Sequence, residues 1–378
     1  MFNRHNKREK TMKRKFTILL TVALLVFALS GCGTKREAIG KEDEIIVVAD
    51  SVNYLQLEPT LLTVFSRIIY TPQDEILFKL KRIRYDDFEK YKKFKNILVV
   101  SPLDTRTNTT KYIKSILDSN VTKLVEEGKE FAFVKKDVWA RHQIMVILTA
   151  PTIEELNKKI LQDNENLLYY FRKASDDRIK AKLFKPEYEK KKIAARLLKE
   201  HGWTMYIQPD YWLAKDDSAH NFVWLRRAPN TDMERWIFVK WWNNASPKSL
   251  VRDSVTAMRN RVTKNYYVVD TSFITGEKAY VEIADDYRVT KEVNFNGRYA
   301  IMTQGLWRMN DKSMGGPFVN YVFYDEPTKR LYMIDGSIFA PKYYKKRLIQ
   351  EVDILLHTFR TEHEMTKDEI EDLLDELD

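Results

Sequence analysis

The spacing of apolar and polar residues changes along the chain, and this spacing predicts where strands and helices lie. Residues 44–50 and 96–101 are short β-branched runs that are apolar on both faces, as is typical of central strands. A helical stretch is predicted between them, near residues 60–69. Residues 130–135 and 143–149 fit an antiparallel pair of strands. The first part of the chain therefore predicts a mixed α/β domain.

A long helical stripe follows the last of these strands. Apolar residues recur at helical spacing from Ile153 to Phe171, and Thr152 and Glu155 form a capping box at the start. Residues 176–201 are then rich in lysine and arginine. We interpret them as helical linker material with a solvated basic face, and a partner surface is the alternative.

In the second half of the chain, apolar and polar residues alternate with the period of two that is typical of β-strands. Strands are predicted at residues 205–208, 222–226, 236–242, 293–295, 299–308, 319–324 and 331–338. Asn296 and Gly297 predict a type I′ hairpin, because both central residues of that turn must take positive φ. Helices are predicted near residues 250–262 and 349–359, so that helices cover an antiparallel sheet.

These elements predict an α+β fold of two domains, a mixed α/β N-terminal domain and a C-terminal antiparallel sheet covered by helices. The layout of the second domain is similar to the small α-β-α sandwich of Mog1 and PsbP-type proteins. The predicted segments are a signal peptide (1–31), a lipidated tether (32–43), the N-terminal domain (44–174), a helical linker (175–202), the C-terminal sandwich (203–360) and an acidic amphipathic tail (361–378).

The first 31 residues have the charge asymmetry of a signal peptide, with seven basic residues and one acid around an apolar run at 16–29. That run spans about 21 Å as a helix, short of the roughly 30 Å hydrocarbon core, so cleavage is favoured over an uncleaved anchor. The following Leu29-Ser30-Gly31-Cys32 resembles the bacterial lipobox, in which the cysteine takes a diacylglycerol. Cys32 is therefore the predicted lipidation site.

Removal of this segment changes the charge and the chemistry of the chain. The formal net charge of the 378 residues is +10, and it falls to +4 without residues 1–31. A nucleic-acid partner is therefore not expected, since the basic footprint lies mostly in the removed segment. Cys32 is the only cysteine. Its acylation would leave no thiol for disulfides, metal sites or nucleophilic catalysis.

Motifs that carry chemistry are missing from the sequence. The five histidines beyond residue 31 are scattered, with no H-E-x-x-H or H-x-H spacing that would place two imidazoles on one metal. The sequence has no G-x-S-x-G, G-x-x-x-x-G-K or G-x-G-x-x-G motif. We therefore predict no catalytic residue, no metal and no cofactor. A hydrolase would need a Ser/His/Asp or paired-carboxylate site assembled in space.

Aromatic residues are concentrated between positions 203 and 242, where a sugar or lipid could stack on them. Core packing is favoured, since the rings alternate on both faces of the strand at 236–242. Two rings beside a predicted turn are expected to be exposed, and a glycine pair could form a turn or an anion nest. Four arginines, Arg226, Arg227, Arg298 and Arg308, could bind an anion, or pair with surface acids. The candidate ligand-binding residues are Tyr211, Trp212, Arg226, Arg298, Gly315 and Gly316.

Residues 361–378 are strongly acidic, with nine acids against Lys367 alone. Thr366 and Glu369 form a second capping box, followed by leucines at helical spacing, so a short amphipathic helix is predicted. A solvated tail is favoured over docking on a basic apolar groove of this chain or a partner, because so short a helix is marginal in water.

Six strings together resemble, in order, a family of bacterial envelope lipoproteins, domain-of-unknown-function family 4837, typical of the Bacteroidetes. The strings are Lys136-Asp137-Val138-Trp139-Ala140, Phe222-Val223-Trp224-Leu225-Arg226-Arg227, Asn296-Gly297-Arg298-Tyr299-Ala300, Gly305-Leu306-Trp307-Arg308, Met314-Gly315-Gly316-Pro317-Phe318 and Asp335-Gly336-Ser337-Ile338-Phe339-Ala340-Pro341-Lys342. The resemblance implies a compartment and a fold, but no catalytic residue.

These observations favour a non-enzymatic envelope lipoprotein that acts as an interaction or assembly module. We expect it to contact the membrane through its acyl chains, to face the periplasm and to have an envelope protein as a possible partner. Gly33 stands where an aspartate retains some lipoproteins in the inner membrane, which favours the outer membrane. The alternative is a periplasmic binding module for a small amphiphile or sugar, with an aromatic-rich cleft in the C-terminal domain. The sequence leaves the oligomeric state open.

Overall fold

A computed structural model describes residues 35–69, 71–228 and 231–378. The predicted signal peptide and the predicted lipidation site at Cys32 lie outside these residues. Within the described ranges, no helix has both the length and the apolar character that crossing a membrane would need.

The N-terminal domain is built on a five-stranded sheet with the order β4-β1-β5-β7-β6, in which only β6 is antiparallel to its neighbour. Its strands are β1 (Glu44–Val48), β2 (Ile68–Ile69), β3 (Glu75–Ile76), β4 (Lys79–Ile83), β5 (Asn96–Val100), β6 (Ala132–Lys136) and β7 (Ile144–Leu148), with β2 and β3 forming a separate ribbon. The residues of β5 and β7 are all buried, as their continuous apolar sequences predicted.

Helices cover both faces of this sheet. They are α1 (Ser51–Phe65), α2 (Phe88–Tyr91), α3 (Asn108–Ile116), α4 (Ser119–Glu126), α5 (Ile153–Gln162) and α6 (Asn164–Leu183). The core on one face is formed with α1, α5 and α6, and the core on the other with α2, α3 and α4. The predicted capping box is present at Thr152, whose hydroxyl accepts from the backbone N–H of Glu155. The predicted single stripe breaks at Asp163, which ends α5 and begins α6.

The C-terminal domain has an eight-stranded antiparallel sheet with the order β12-β13-β14-β15-β16-β11-β10-β9. Its strands are β9 (Tyr211–Asp217), β10 (Phe222–Arg227), β11 (Glu234–Trp242), β12 (Val268–Val269), β13 (Ala279–Phe295), β14 (Arg298–Met309), β15 (Gly315–Asp325) and β16 (Arg330–Phe339), while the short β8 (Trp203–Thr204) and β17 (Arg360–Thr361) pair with each other. Asn296 and Gly297 have φ of 51° and 87°, which confirms the predicted hairpin turn.

Both faces of this second sheet are covered, by α7 (Lys191–His201) and α9 (Lys346–Leu356) on one side and α8 (Val255–Tyr266) on the other. The alternation in β11 is confirmed, since Trp236 and Phe238 enter the core beneath α8 and Trp241 enters the core beneath α7 and α9. The α+β fold with a mixed α/β half and a helix-covered antiparallel half is therefore confirmed.

The segment that we interpreted as a linker belongs to the two domains themselves. Helix α6 continues through the predicted boundary at 174–175 to Leu183. Ala194 and Leu197 of α7 are buried in the C-terminal core. The connection between the domains is thus reduced to the few residues between α6 and α7.

The acidic tail is docked on this chain, which corrects the expectation of a solvated tail. Its helix α10 (Lys367–Leu374) lies against α7, and Leu373 packs on the C-terminal core. Arg360 donates to Glu369 at 2.9 Å and lowers the pKa of that carboxyl to about 2. Lys191 of α7 donates to Glu376 at 2.9 Å. Cations and an apolar surface therefore hold a helix that would be marginal alone.

Candidate functional site

A cleft of about 1140 Å³ lies where the two domains meet. The amino-terminal ends of β1, β4 and β5 and the length of α6 line it from the N-terminal domain. Strands β13, β14 and β15 and helix α9 line it from the C-terminal domain. Sites that enclose drug-sized ligands usually measure roughly 300–1,000 Å³, so this cleft is large enough for such a ligand.

Aliphatic side chains form one part of the lining. Representative residues are Ile76 of β3, Leu168 and Ile179 of α6, Val289 of β13, Val319 of β15 and Ile349 of α9. Because these residues come from both domains, neither domain would form this apolar surface alone.

The carboxylates at the cleft are largely engaged, and several of their bonds join the domains. Asp43 accepts from Lys346 at 2.8 Å, and Glu75 accepts from the backbone N–H of Lys345 at 2.7 Å. Glu42 accepts from Arg178 at 2.7 Å, and the Arg178 side chain is almost fully buried. The bonds of Asp43 and Glu75 hold the start of α9 against the N-terminal domain, whereas the bond of Glu42 lies within that domain.

Positive charge is in excess, since nine basic and six acidic residues line the cleft. Arg67, Arg172 and Lys291 act together on one carboxylate, Glu165. The hydrogen bond from Arg67 holds the pKa of Glu165 below its usual range, and the charges of Lys291 and Arg172 act in the same direction. Three cations around one anion leave a net positive group, and we call these three residues the cation cluster.

Asp176 of α6 lies at the same domain interface, where Gln350 of α9 donates to it at 2.8 Å. Burial raises the pKa of Asp176 to about 6, the negative charge of Asp353 adds to the effect, and the Gln350 hydrogen bond opposes it. Asp353 itself accepts from the hydroxyl of Tyr321 at 2.6 Å. The interface therefore contains a carboxyl group that titrates near neutral pH.

The variant Asp176→Asn is expected to stabilise the protein at pH 7.5 by about 2 kcal/mol. The pKa of Asp176 is higher in the folded chain than the ordinary 3.8, so the folded state binds this proton more tightly than the unfolded state. The contribution of Asp176 to stability is thus most favourable at low pH and is lost as the pH rises through about 4 to 6. Asparagine keeps an oxygen for Gln350 and removes the charge.

Urea unfolding of both proteins at pH 3.5 and pH 7.5 measures this difference. The matched control is Asp177→Asn, which alters an exposed neighbour that pairs with Lys173 at 2.6 Å. A gain at pH 7.5 that persists at pH 3.5, or that the control reproduces, would contradict the assignment.

The candidate ligand residues of the C-terminal domain do not come together. Tyr211 was expected to be exposed and is only 1% exposed, because its ring packs in the core beneath α7. Trp212 is 60% exposed, as expected, with the ammonium of Lys190 lying 4.2 Å from the centre of its ring. Arg226 is paired with Glu234 of the neighbouring strand.

The remaining three candidates lie on other strands. Arg298, at the start of β14, donates to Glu364 at 2.7 Å, and three strands separate it from Arg226 on β10. Gly315 and Gly316 begin β15, and a Cβ on Gly316 would lie 1.9 Å from the carbonyl oxygen of Ile338. Close backbone approach thus accounts for Gly316. None of the six candidates lines the interdomain cleft.

Most of the aromatic cluster is core, so the expected aromatic cleft is not formed. Trp203, Phe222, Phe238 and Trp241 are buried with Tyr211 in the two cores. Sequence reasoning missed the cleft because its charged residues are dispersed among separate segments. The one local signal was α6, where leucine and arginine of the same helix face the cleft.

Glu200, His201 and Asp216 are the one group within the described ranges whose ligand atoms lie close enough to share a metal ion. Arg196 donates to Glu200 at 3.0 Å and to Asp216 at 3.3 Å, and His201 is hydrogen bonded to Asp216 at 2.9 Å. The carboxylates already have cationic and imidazole partners, so this group is explained as a structural ion-pair network.

Two family models match consecutive parts of the chain. Residues 38–184 match "Domain of unknown function (DUF8532)" and residues 189–358 match "Domain of unknown function (DUF4837)". The border between the matches falls at the connection between α6 and α7. No curated protein matches the sequence.

Solved structures resemble this chain only distantly. A protein of Bacteroides thetaiotaomicron has 6% identity and a TM-score of 0.26 over 45% of this chain and 47% of its own, so this chain spans about half its length. The Saccharomyces cerevisiae Ran-binding protein Mog1p has 9% identity and a TM-score of 0.28 over 43% and 90%. A Mog1 mutant has 10% identity and a TM-score of 0.27 over 42% and 90%.

Proposed function

We propose that this chain, which belongs to the uncharacterised domain families DUF8532 and DUF4837, is an envelope lipoprotein. It binds an anionic amphiphile between its two domains. The observation that supports this function is the cleft, in which an aliphatic lining adjoins the cation cluster. An acyl chain fits the first and a carboxylate or phosphate fits the second. The proposed activity is binding without catalysis.

The lining favours an amphiphile over a sugar. Sugars are commonly held against exposed aromatic faces, and of the three aromatic residues that line the cleft, Phe78 and Phe318 are buried and only Tyr344 is exposed. The partly exposed aliphatic residues Ile76, Val289 and Ile349 offer an apolar surface beside that single ring. The proposed ligand is therefore an amphiphile, as in the binding module that the sequence offered as an alternative, but its site lies at the domain interface.

The proposed anchor is the diacylglycerol on Cys32. A thioether-linked diacylglycerol with an additional N-acyl group carries more than the two chains that stable membrane anchoring needs. The protein would then face the periplasm, with the outer membrane favoured by Gly33.

An interaction or assembly role with an envelope protein is the second candidate function. Helix α1 favours it, because this helix exposes Val52, Leu55 and Leu62 at 66%, 69% and 43%. Val52, Leu55 and Leu62 lie at helical spacing on one side of α1, and such an apolar stripe is typical of a protein–protein contact.

The cleft is tested by measuring how tightly a fluorescent long-chain carboxylate binds the mature chain carrying Cys32→Ser. We expect the double variant Arg172→Gln/Lys291→Gln to bind it at least about tenfold more weakly, because charge-assisted hydrogen bonds to the headgroup are lost. The corresponding long-chain alcohol should bind both proteins alike.

The control is Arg261→Gln/Lys248→Gln, which removes two exposed charges outside the cleft. Equal affinity of the carboxylate and the alcohol for the parent protein would refute an anionic ligand. Unchanged carboxylate binding in the Arg172→Gln/Lys291→Gln variant would refute the site.

A further inference from the structure

The first described residues are fastened along the amino-terminal edge of the first sheet. The backbone N–H of Ala38 donates to the carbonyl of Arg141 at 3.0 Å, and that of Arg141 donates to Arg36 at 2.9 Å. The N–H of Ile39 donates to Lys93 at 3.0 Å. Residues 35–41, 92–95 and 135–142 thus form one surface, which we call the tether edge.

The side chain of Gln143 holds two of these segments together, residues 92–95 and 135–142. The Gln143 amide donates to the carbonyls of Lys92 and Phe94 at 2.7 Å each, and its oxygen accepts from the N–H of Trp139 at 3.0 Å. Gln143 is itself buried. The tether edge is therefore a built part of the domain and not a loose leader.

The position of Cys32 limits how far this edge can lie from a membrane. Glu37, which bridges to Arg141, is five residues after Cys32. Five extended residues span at most about 18 Å. If Cys32 is lipidated, as the proposed function holds, the tether edge stays within that distance of the bilayer. The opposite edge of the sheet is about 17 Å farther, the length of a five-residue strand.

Positive charge dominates the tether edge. Its exposed basic residues are Lys35, Arg36, Lys41, Lys93, Lys135, Lys136 and Arg141. Its exposed acids are Glu37 and Asp137, and Glu37 is bonded to Arg141 and, at 2.8 Å, to His142. Ile39 adds an exposed aliphatic side chain in the same segment.

We propose that the tether edge binds the surface of a bilayer that contains anionic phospholipid. This inference rests on the proposed function, which places the protein at a membrane. The charge of the tether edge and its short distance from Cys32 identify it as the surface that would contact that membrane. Electrostatic attraction to such a surface extends over a Debye length of about 8 Å, so a short tether keeps the basic residues near the range where it acts.

This contact would also place the cleft beside the membrane. Lys95 of the tether edge lines the cleft, and so do Glu42 and Asp43, which directly follow residue 41 of that edge. An amphiphile could then pass between the bilayer and the cleft over a short path.

The test is sedimentation of the mature chain carrying Cys32→Ser, expressed without residues 1–31, with two kinds of vesicle. We expect binding to vesicles that contain phosphatidylglycerol, weak binding to pure phosphatidylcholine, and loss of the difference at high salt. The variant Lys93→Gln/Lys135→Gln/Lys136→Gln should bind phosphatidylglycerol vesicles at least tenfold more weakly. The matched control is Lys111→Gln/Lys114→Gln/Lys264→Gln, with three exposed lysines elsewhere.

The vesicle experiment tests the tether edge, and a separate measurement tests the lipid anchor. No preference for phosphatidylglycerol, or equal weakening in the control, overturns the tether edge as the binding surface, whatever the state of Cys32. The mass of the native protein tests lipidation separately, and an unmodified Cys32 would overturn the anchor. Circular dichroism of both triple variants verifies that they are folded.

Discussion

Replacing Arg259 by methionine is expected to lower the free energy of unfolding of the C-terminal domain by about 3–5 kcal/mol. Arg259 of α8 donates to Asp335 of β16 at 2.6 Å, and neither side chain has any exposed surface. Ser337 and Asn320 complete the network, at 2.9 and 3.1 Å from Asp335. The substitution leaves a buried carboxylate without its cation, and the cost of that desolvated charge accounts for the loss.

Urea unfolding followed by tryptophan fluorescence measures the effect, because seven of the eight tryptophans lie in the C-terminal domain and only Trp139 lies in the other. The double variant Arg259→Met/Asp335→Leu should lose less stability than Arg259→Met, since it removes both charges. Arg261→Met, at an exposed position on the same helix, is the control. A loss below about 1 kcal/mol for Arg259→Met would contradict the cost assigned to the unpaired buried carboxylate.

Cys32→Ser in the full precursor is expected to abolish incorporation of labelled fatty acid. The thiol is the only group that can form the thioether to diacylglycerol, and the chain has no second cysteine. The effect should therefore be complete, with labelling reduced to background. Mass spectrometry should find residues 1–31 removed and the acyl chains present in the parent protein alone.

Gly33→Ala is the matched control for this experiment, because it changes the neighbouring residue and keeps the thiol. Labelling that persists in Cys32→Ser, or a parent protein that retains its first methionine, would refute the anchor. Binding of the amphiphile would remain a separate question, since the cleft lies wholly within the described residues.

Features of short range were predictable because they depend on neighbouring residues. The apolar runs of β5 and β7 are buried on both faces, and Asn296 and Gly297 form the predicted turn. In β11, the alternation of rings and aliphatic residues assigned each side chain to its core. Each of these depends on strand period or on a φ preference, which a few residues determine.

Strand β13 shows where the alternation of apolar and polar residues fails to predict a strand. It runs from Ala279 to Phe295, but only residues 293–295 were predicted as strand. Much of its middle is exposed and charged, and its register with β14 shifts between Ala284 and Arg288. Such a strand is held by backbone pairing with its neighbour, and its own side chains carry little signal.

The docking of the acidic tail and the composition of the cleft could be recognised only from the tertiary structure. Glu369 and Glu376 of the tail meet Arg360 and Lys191, partners that no local pattern identifies. In the cation cluster, Arg67 comes from the connection between α1 and β2, Arg172 from α6, and Lys291 from β13 of the other domain.

The sequence by itself determined the two kinds of domain and the faces of their strands, because strand period and turn chemistry are local properties, and it predicts a lipid anchor from an equally local motif. Only the tertiary structure decided which charges are neutralised and which remain available at the domain interface. The physical reason is that electrostatic and apolar contacts depend on distance in space, and residues more than a hundred positions apart become neighbours only when the chain folds.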